Sequence, residues 1–437
     1  DTATDATVNL STSDVTDHDA NITFTATLSN ASQGVTTVHT NQGDITIADG
    51  QTVGTLVIAT PNASSLSATI TDTSGGNFEH LVVGTGTATA QIIDATAPTI
   101  LIGTDDSALK VGDVAHLTFT LSEASINFGS GDVNVTGGTL SNFAGSGTSY
   151  TADFTPAASS TTTATVNVAG GTFTDAAANN NTAAAQLSMT VDTVAPTVTI
   201  TDDEPGTANI AGGNVVYTFQ FSEAVTGFDA SDITLANGTK GTFTVIDADT
   251  YTLAVTPSAS FTGTMTVDVA ASAAFDPAGN PSTAATQSVQ AVDTSAPSAP
   301  VITGFTTDSG TVGDHITNDT SLTINGTAEA NSTVTVFQNG VSIGTALADG
   351  SGNWSKIDSN VLVNGTSYQF TATATDAAAN TSGLSSAYAA TIDTSAPSAP
   401  VITGFTTDSG TVGDHITNDT SLTINGTAEA NSTVTVF

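Results

Sequence analysis

The chain is written in short stretches that alternate apolar and polar residues. Val215, Tyr217, Phe219 and Phe221 fall on one side of an extended segment, and Leu117, Phe119 and Leu121 do the same about one hundred residues earlier. Further runs of period two are Tyr150/Ala152/Phe154, Tyr251/Leu253/Val255, Met265/Val267/Val269 and Tyr368/Phe370/Ala372. That period belongs to a pleated strand with one face buried. The pair Asn339-Gly340, between Val334–Phe337 and Val341–Ile343, predicts a tight hairpin. About seven such strands recur in each hundred residues, between turn-forming residues. Their number and length predict an all-β protein, a tandem array of immunoglobulin-like antiparallel β-sandwiches. A β-helix is the alternative, but the repeat period is far longer than one of its coils.

The period is explicit. Residues 293–337 recur without change at 393–437, an offset of 100. Looser copies of the same junction begin at Asp94 (DATAPT) and Asp192 (DTVAPT), before Asp293 and Asp393 (DTSAPS), at spacings of 98, 101 and 100. A fixed period of this size marks an array of similar modules. The expected boundaries are 1–94, 95–192, 193–293 and 294–393, with a truncated copy at 394–437. Each joint reads Asp-Thr-x-Ala-Pro or a near variant. Proline fixes its own φ and keeps its predecessor extended, so the joints are expected to be short and stiff, unlike a Gly/Ser tether.

Composition narrows the partners. The chain has no cysteine, so disulfides cannot brace the modules. Only Lys110, Lys240 and Lys356 oppose 41 acidic residues, giving a net charge of −38. Nucleic acid and anionic lipid are excluded as partners, because neither could be neutralised. Such a charge is tolerable in salt, or with divalent cations among the carboxylates. Low-complexity disorder would suit the Thr, Ala and Gly content, but the strand periodicity argues against it. No apolar run reaches the roughly 18 residues of a membrane helix, so no membrane span is expected. No signal peptide opens the chain. The start at Asp1 and the stop within a repeat lead us to expect an excerpt of a longer protein.

Three modules share Asp-x-x-x-Asn near their ends: Asp175/Asn179, Asp276/Asn280 and Asp376/Asn380. The joint aspartates Asp192, Asp293 and Asp393 each follow 17 residues later. With one strand between, the loop and the strand end are expected to converge at one pole as a cation site, and Asp94 is the corresponding joint residue of the first module. Oxygen ligands without Cys or His favour calcium over zinc. Calcium takes roughly six to eight oxygens, so carbonyls, water and the next module must contribute. Further candidates are Asp105, Asp106, Asp202 and Asp203 after the joint prolines, Glu123 and Glu223, and the cluster Asp308, Asp314 and Asp319. Turn formation is the competing role for the same Asp and Asn residues.

Enzyme chemistry finds no support in the sequence. No nucleophile elbow, zinc-binding helix or phosphate loop occurs. The six histidines form no spaced metal pair, and among 41 acidic residues a chance carboxylate pair carries no signal. Trp354, the only tryptophan, is expected to pack at a sandwich edge rather than to stack on a sugar. The threonines lack the regular ladders of an ice-binding face.

Three groups of segments resemble known families. GDITIADGQTVGTLVI (43–58) and SGGNFEHLVVGTGTATAQI (74–92) are similar to the extender repeats of giant type I-secreted RTX adhesins. FTLSEASINF (119–128) and FQFSEAVTGFDASDITLANG (219–238) resemble a bacterial Ig-like domain family of large surface proteins, the first of them departing at ASINF. TDSGTVGDHITNDTSLTINGTAEANSTVTVF (307–337) and FTATATDAAANTSG (370–383) resemble the Ig-like repeats of biofilm-associated proteins. The resemblance implies a secreted protein at the bacterial cell surface and calcium at the module junctions. It implies a spacer that holds a distal adhesive region, outside this chain, toward a host or surface glycan or protein. The alternative is that one module, most plausibly the first, itself binds a glycan or protein.

Overall fold

The computed structural model describes residues 5–437, so the first four residues of the expected first module lie outside it. The chain divides into two compact units. One takes the chain up to Thr197 together with Glu223–Gly227 and Ala274–Thr283; the other takes Val198–Ser222, Phe228–Ala273 and Ala284–Phe437.

The first unit contains two sandwiches. In the earlier one, a four-stranded sheet runs Val53–Ala59, Asn21–Leu28, Asp5–Ser11, His80–Val83. Its partner runs Val15–Thr16, Thr87–Ile93, Ser65–Gly75, Thr36–Thr40, Gly43–Ile47. Inward residues of both sheets, among them Val8, Phe24, Val38, Ile45 and Ala90, form one buried cluster. The later sandwich pairs Ile100–Thr104, Ala115–Ser125 and Gly138–Pro156 against Ala108–Leu109, Leu187–Val191, Ala164–Val168 and Val133–Thr136. Its core is aromatic: Phe128 packs edge-on to Phe119, Phe143 and Tyr150 and tilts against Phe173. Burying one such ring contributes about 1.5–3 kcal/mol, so a few per module replace the missing disulfides.

The second unit begins with a sheet of Val198–Asp202, Val215–Phe221, Thr250–Pro257 and Gly238–Val245, beside one of Ile233–Ala236, Thr262–Val269 and Ser288–Asp293. Next come Val301–Thr306, Thr323–Thr327 and Asn353–Ile357 against Ile316–Thr317, Tyr388–Ile392, Ser367–Thr375, Thr333–Gln338 and Val341–Leu347. The last copy contributes a two-stranded pair, Val401–Phe405 with Ile424–Thr427. Every period-two run of the sequence turns its apolar side inward: Tyr217, Phe219, Leu253, Val267 and Phe370 are all fully buried. Trp354 is buried on the edge strand Asn353–Ile357. Asn339 and Gly340 both take positive φ, 51° and 82°, between Gln338 and Val341, which is the geometry that lets a two-residue turn match strand twist.

The sandwiches are antiparallel apart from Asp5–Ser11 with His80–Val83, which pair parallel, and one feature that recurs in the modules. The first strand of each module breaks, and its continuation crosses to the other sheet and pairs parallel with the last strand. Thr16 lies opposite Ile93, Leu109 opposite Val191, Ala208 opposite Val292 and Thr317 opposite Ile392. These continuations span two residues or a single bridge, too short for any periodicity to reveal.

The linkers are stitched to the module they leave. Thr193 Oγ1 donates to the Ala157 carbonyl (2.7 Å) and accepts from the Ser160 N–H (2.9 Å). Thr294 repeats this with the Ser258 carbonyl (2.6 Å) and the Phe261 N–H (3.1 Å). Both threonines are buried. The first linker has alanine at that position, and Asp17 substitutes by accepting from the Ala95 N–H (3.0 Å) and the Thr96 hydroxyl (2.7 Å).

Candidate metal centres

Two loops carry the Asp-x-x-x-Asn motif into the first unit. Asp175 accepts the Asn179 N–H (2.9 Å) on one oxygen and the Asn179 side-chain amide (2.9 Å) on the other. Asp276 and Asn280 repeat the pattern at 2.8 and 2.7 Å, and Asp376 and Asn380 of the second unit at 2.8 and 2.9 Å. The residue before each asparagine (Ala178, Gly279, Ala379) has positive φ, which turns the chain back on itself. Each loop is tied to the strand that ends nearby. The Ser125 hydroxyl donates to the Thr174 carbonyl (2.8 Å), and Thr226 exchanges backbone bonds with Phe275 (2.8 and 3.0 Å). Those strands carry Glu123 and lead into Glu223, so a glutamate is brought beside each loop aspartate.

The result is two groups of three carboxylates: Asp94 with Glu123 and Asp175, and Asp192 with Glu223 and Asp276. In each, one oxygen per residue lies within 4.8 Å of the other two. Oxygens bound to one ion at about 2.4 Å can stand no farther apart than about twice that length, so the spacing fits a calcium-sized ion. Neither group contains nitrogen or sulfur, as a hard cation prefers. Asp175 and Asp276 are buried, at 2% and 3% exposure. Burial, then the charges of Asp94, Asp175 and Asp17, pushes the Glu123 carboxyl above its ordinary value. Burial, then Asp276 and Asp192, does the same to Glu223. Burial also works to raise Asp175, but the Asn179 side chain and the backbone donors around it outweigh that and hold it low. The first cluster therefore mixes a carboxylate kept ionised, Asp175, with one that resists ionisation until a positive charge arrives, Glu123.

One expectation is corrected. Asp175 meets Asp94 and not Asp192, and Asp276 likewise meets the preceding joint aspartate, Asp192. The strand between motif and following joint carries the chain from one pole of the sandwich to the other. The loop is left at the pole where its module begins. The motif asparagines bind the same preceding joints: Asn179, Asn280 and Asn380 donate from Nδ2 to the carbonyls of Asp94, Asp192 and Asp293 at 3.0, 3.0 and 2.9 Å.

The other candidates cap turns in their own segments. Asp105 and Asp106 follow the far end of the strand that leaves the joint, where they accept the N–H groups of His116 and Ala108. Asp202 and Asp203 accept from Glu204 and Val216. Asp308, Asp314 and Asp319 accept from Gly313, Ile316 and Ser321 within their own loop. Among the described residues they do not form a third group, nor do Asp293 with Asp376 or Asp393. Each joint aspartate also closes a turn on the N–H two residues on: Thr96, Val194, Ser295 and Ser395. Turn formation and cluster membership thus coexist at Asp94 and Asp192. Asp17, which adds a fourth negative charge at the first joint, carries no sequence signal, because the first module shares little wording with the others.

Comparison with known proteins finds family models along most of the chain. A family model described as a LapA domain matches residues 4–95. One described as a bacterial Ig-like domain matches 94–191 and 192–292, and a second of that description matches 296–394. A search of curated proteins finds no match. Among solved structures, invasin, a bacterial integrin-binding protein, shares 12% identity over 89% of this chain and 79% of its own, with a TM-score of 0.33. The titin fragment A168–A170 shares 14% over 67% and 99%, with a TM-score of 0.27. The BSP domain of a biofilm-associated protein shares 10% over 89% and 96%, with a TM-score of 0.21. At TM-scores this low the likenesses say nothing of function. No helix among the described residues is long and apolar enough to cross a membrane. With bacterial Ig-like matches over more than half its length and a LapA domain before them, the chain belongs to the bacterial Ig-like domain family.

Proposed function

We propose that this segment is a spacer in a large bacterial adhesin, with calcium at its joints limiting bending and a ligand-binding region carried elsewhere on the protein. Its modules are those expected from the sequence, 1–94, 95–192, 193–293 and 294–393, with a truncated copy at 394–437. The observation that carries the reading is the pair of three-carboxylate groups, each built from a linker aspartate and two residues of the module that follows it. Left alone, the carboxylates repel one another and push linker and module apart; an ion of charge two reverses the sign of that interaction. Asp94, Glu123 and Asp175 would hold one ion and Asp192, Glu223 and Asp276 another, with carbonyls and water completing the shell. Secretion by a type I route and RTX character belong to the same proposal and follow from the resemblance of the first module to extender repeats.

The proposal assigns the segment no catalytic role. His39 does sit between Asp44 (2.8 Å) and Ser74 (3.1 Å), but both partners are exposed on an open sheet face, which supports a polar cross-strand ladder over a nucleophile. Isothermal titration with calcium tests the reading. It should give two sites per chain, with Glu123→Gln and Glu223→Gln each removing one. A chain that takes up no calcium at millimolar concentration overturns it.

A further inference from the structure

The first three joints share one plan and differ in the residues that follow the short parallel pairing. The residue that follows the short parallel pairing is Asp17 at the first joint, Lys110 at the second and Asn209 at the third. Next come His18, Val111 and Ile210.

At the first joint, Asp17 brings another carboxylate toward the cluster, and Asn179 makes a single bond across the joint, to Asp94. At the second, the Val111 N–H donates to Asn280 Oδ1 (2.8 Å), so Asn280 uses both ends of its amide. The Lys110 side chain passes Gly279, where a Cβ would stand 3.5 Å from Cδ. At the third, the Ile210 N–H donates to Asn380 Oδ1 (3.0 Å) while Asn380 Nδ2 donates to the Asp293 carbonyl (2.9 Å). Asn209 Nδ2 adds a bond to the Ala378 carbonyl (2.7 Å). Asn380 is only 1% exposed, with its carbonyl and amide groups both engaged. All of these groups lie within the second unit.

An amide that bridges in both directions needs no counter-ion, and neutral partners leave no repulsion to cancel. We infer that the third joint is a cation-independent latch, in which Asn380 and Asn209 hold linker and preceding turn by hydrogen bonds alone. The first joint, with four acidic residues and one bridging bond, is the one that depends on the ion. The contrast between them rests on the calcium reading above; the latch itself does not.

Hydrogen exchange on the full chain, in calcium and in excess chelator, tests this. The Ile210 amide should keep its protection within about twofold. The Ala95 and Thr96 amides, which donate to Asp17 and Asp94, should lose about tenfold or more. Ile210 falling in step with Ala95 and Thr96 overturns the latch. If no joint responds to calcium, the calcium reading fails, and the latch is judged on variants. Asn380→Ala, which removes the acceptor, and Asn209→Ala, which spares the loop's own turn, should each lower Ile210 protection about fivefold in chelator. Unchanged protection in both variants overturns the latch.

Discussion

The Asn280 side-chain amide donates to the carbonyl of Asp192 at 3.0 Å while its oxygen accepts the Val111 N–H. One buried asparagine thus holds the joint residue, the turn beside it and its own loop aspartate, Asp276. A spacer needs few degrees of freedom at its joints, and this contact removes several with a single residue.

Asn280→Ala should therefore destabilise by about 2 kcal/mol, because it leaves buried partners without hydrogen bonds. Chemical denaturation of the full chain checks this. Asn280→Asp should be worse than alanine in chelator, since it adds a fourth carboxylate to Asp192, Glu223 and Asp276, and should recover in part with calcium.

Glu123→Gln and Glu223→Gln should act in opposite directions with and without the ion. In chelator each removes a like charge and should stabilise by about 1 kcal/mol, the size of one such pair under strong solvent screening. In calcium each removes a ligand and should lose the rise in melting temperature that calcium gives the parent chain. Thermal scans in the two buffers read both signs.

Stability should depend on pH in a way that reports the glutamates. Both bind their proton more tightly folded than unfolded, with the ordinary value at 4.5. Without cations the folded state is therefore favoured as pH falls through the folded value toward 4.5, and that gain is lost on going back up. Asp175 has the opposite sign: its contribution is present above its ordinary 3.8 and is lost as pH falls below that through its lowered folded value. Calcium should invert the upper part of the profile, because protons then compete with the ion. Melting temperatures from about pH 2.5 to about pH 7, with and without calcium, decide this.

Tyr217 is fully buried and its hydroxyl has no hydrogen-bond partner among the described residues; burial, then Asp202 and Asp203, pushes its pKa up to about 12. Tyr217→Phe should be neutral or stabilising by about 1 kcal/mol, as the desolvation of the hydroxyl is no longer needed. A loss of stability on equilibrium unfolding would mean that the hydroxyl has a partner.

Much of this architecture is written in the chain, though unevenly. Strand faces such as Val215–Phe221 are legible because a buried sheet face imposes a strict period. The loop pairs Asp175/Asn179 and Asp276/Asn280 stand out because an array repeats them, and Glu123 and Glu223 stand out in a shared Ser-Glu-Ala. Which joint each loop serves is harder to read. Asp175 lies 17 residues from Asp192 and 81 from Asp94, yet the intervening strand puts the nearer aspartate at the far pole. Asp17, Lys110 and Asn209 are invisible as a set, since only the parallel bridges Thr16–Ile93, Leu109–Val191 and Ala208–Val292 place them in register. Turn chemistry at Asp105, Asp203 and Asp308 uses the same side chains as cation binding, and sequence alone does not separate the two.

Small-angle scattering of the full chain, in calcium and then in excess chelator, tests the central claim most directly. Ion-set joints predict a larger maximum dimension in calcium, a smaller and broader distribution in chelator, and recovery when calcium is restored. Scattering curves that superimpose in the two buffers would contradict the claim that calcium sets the joints.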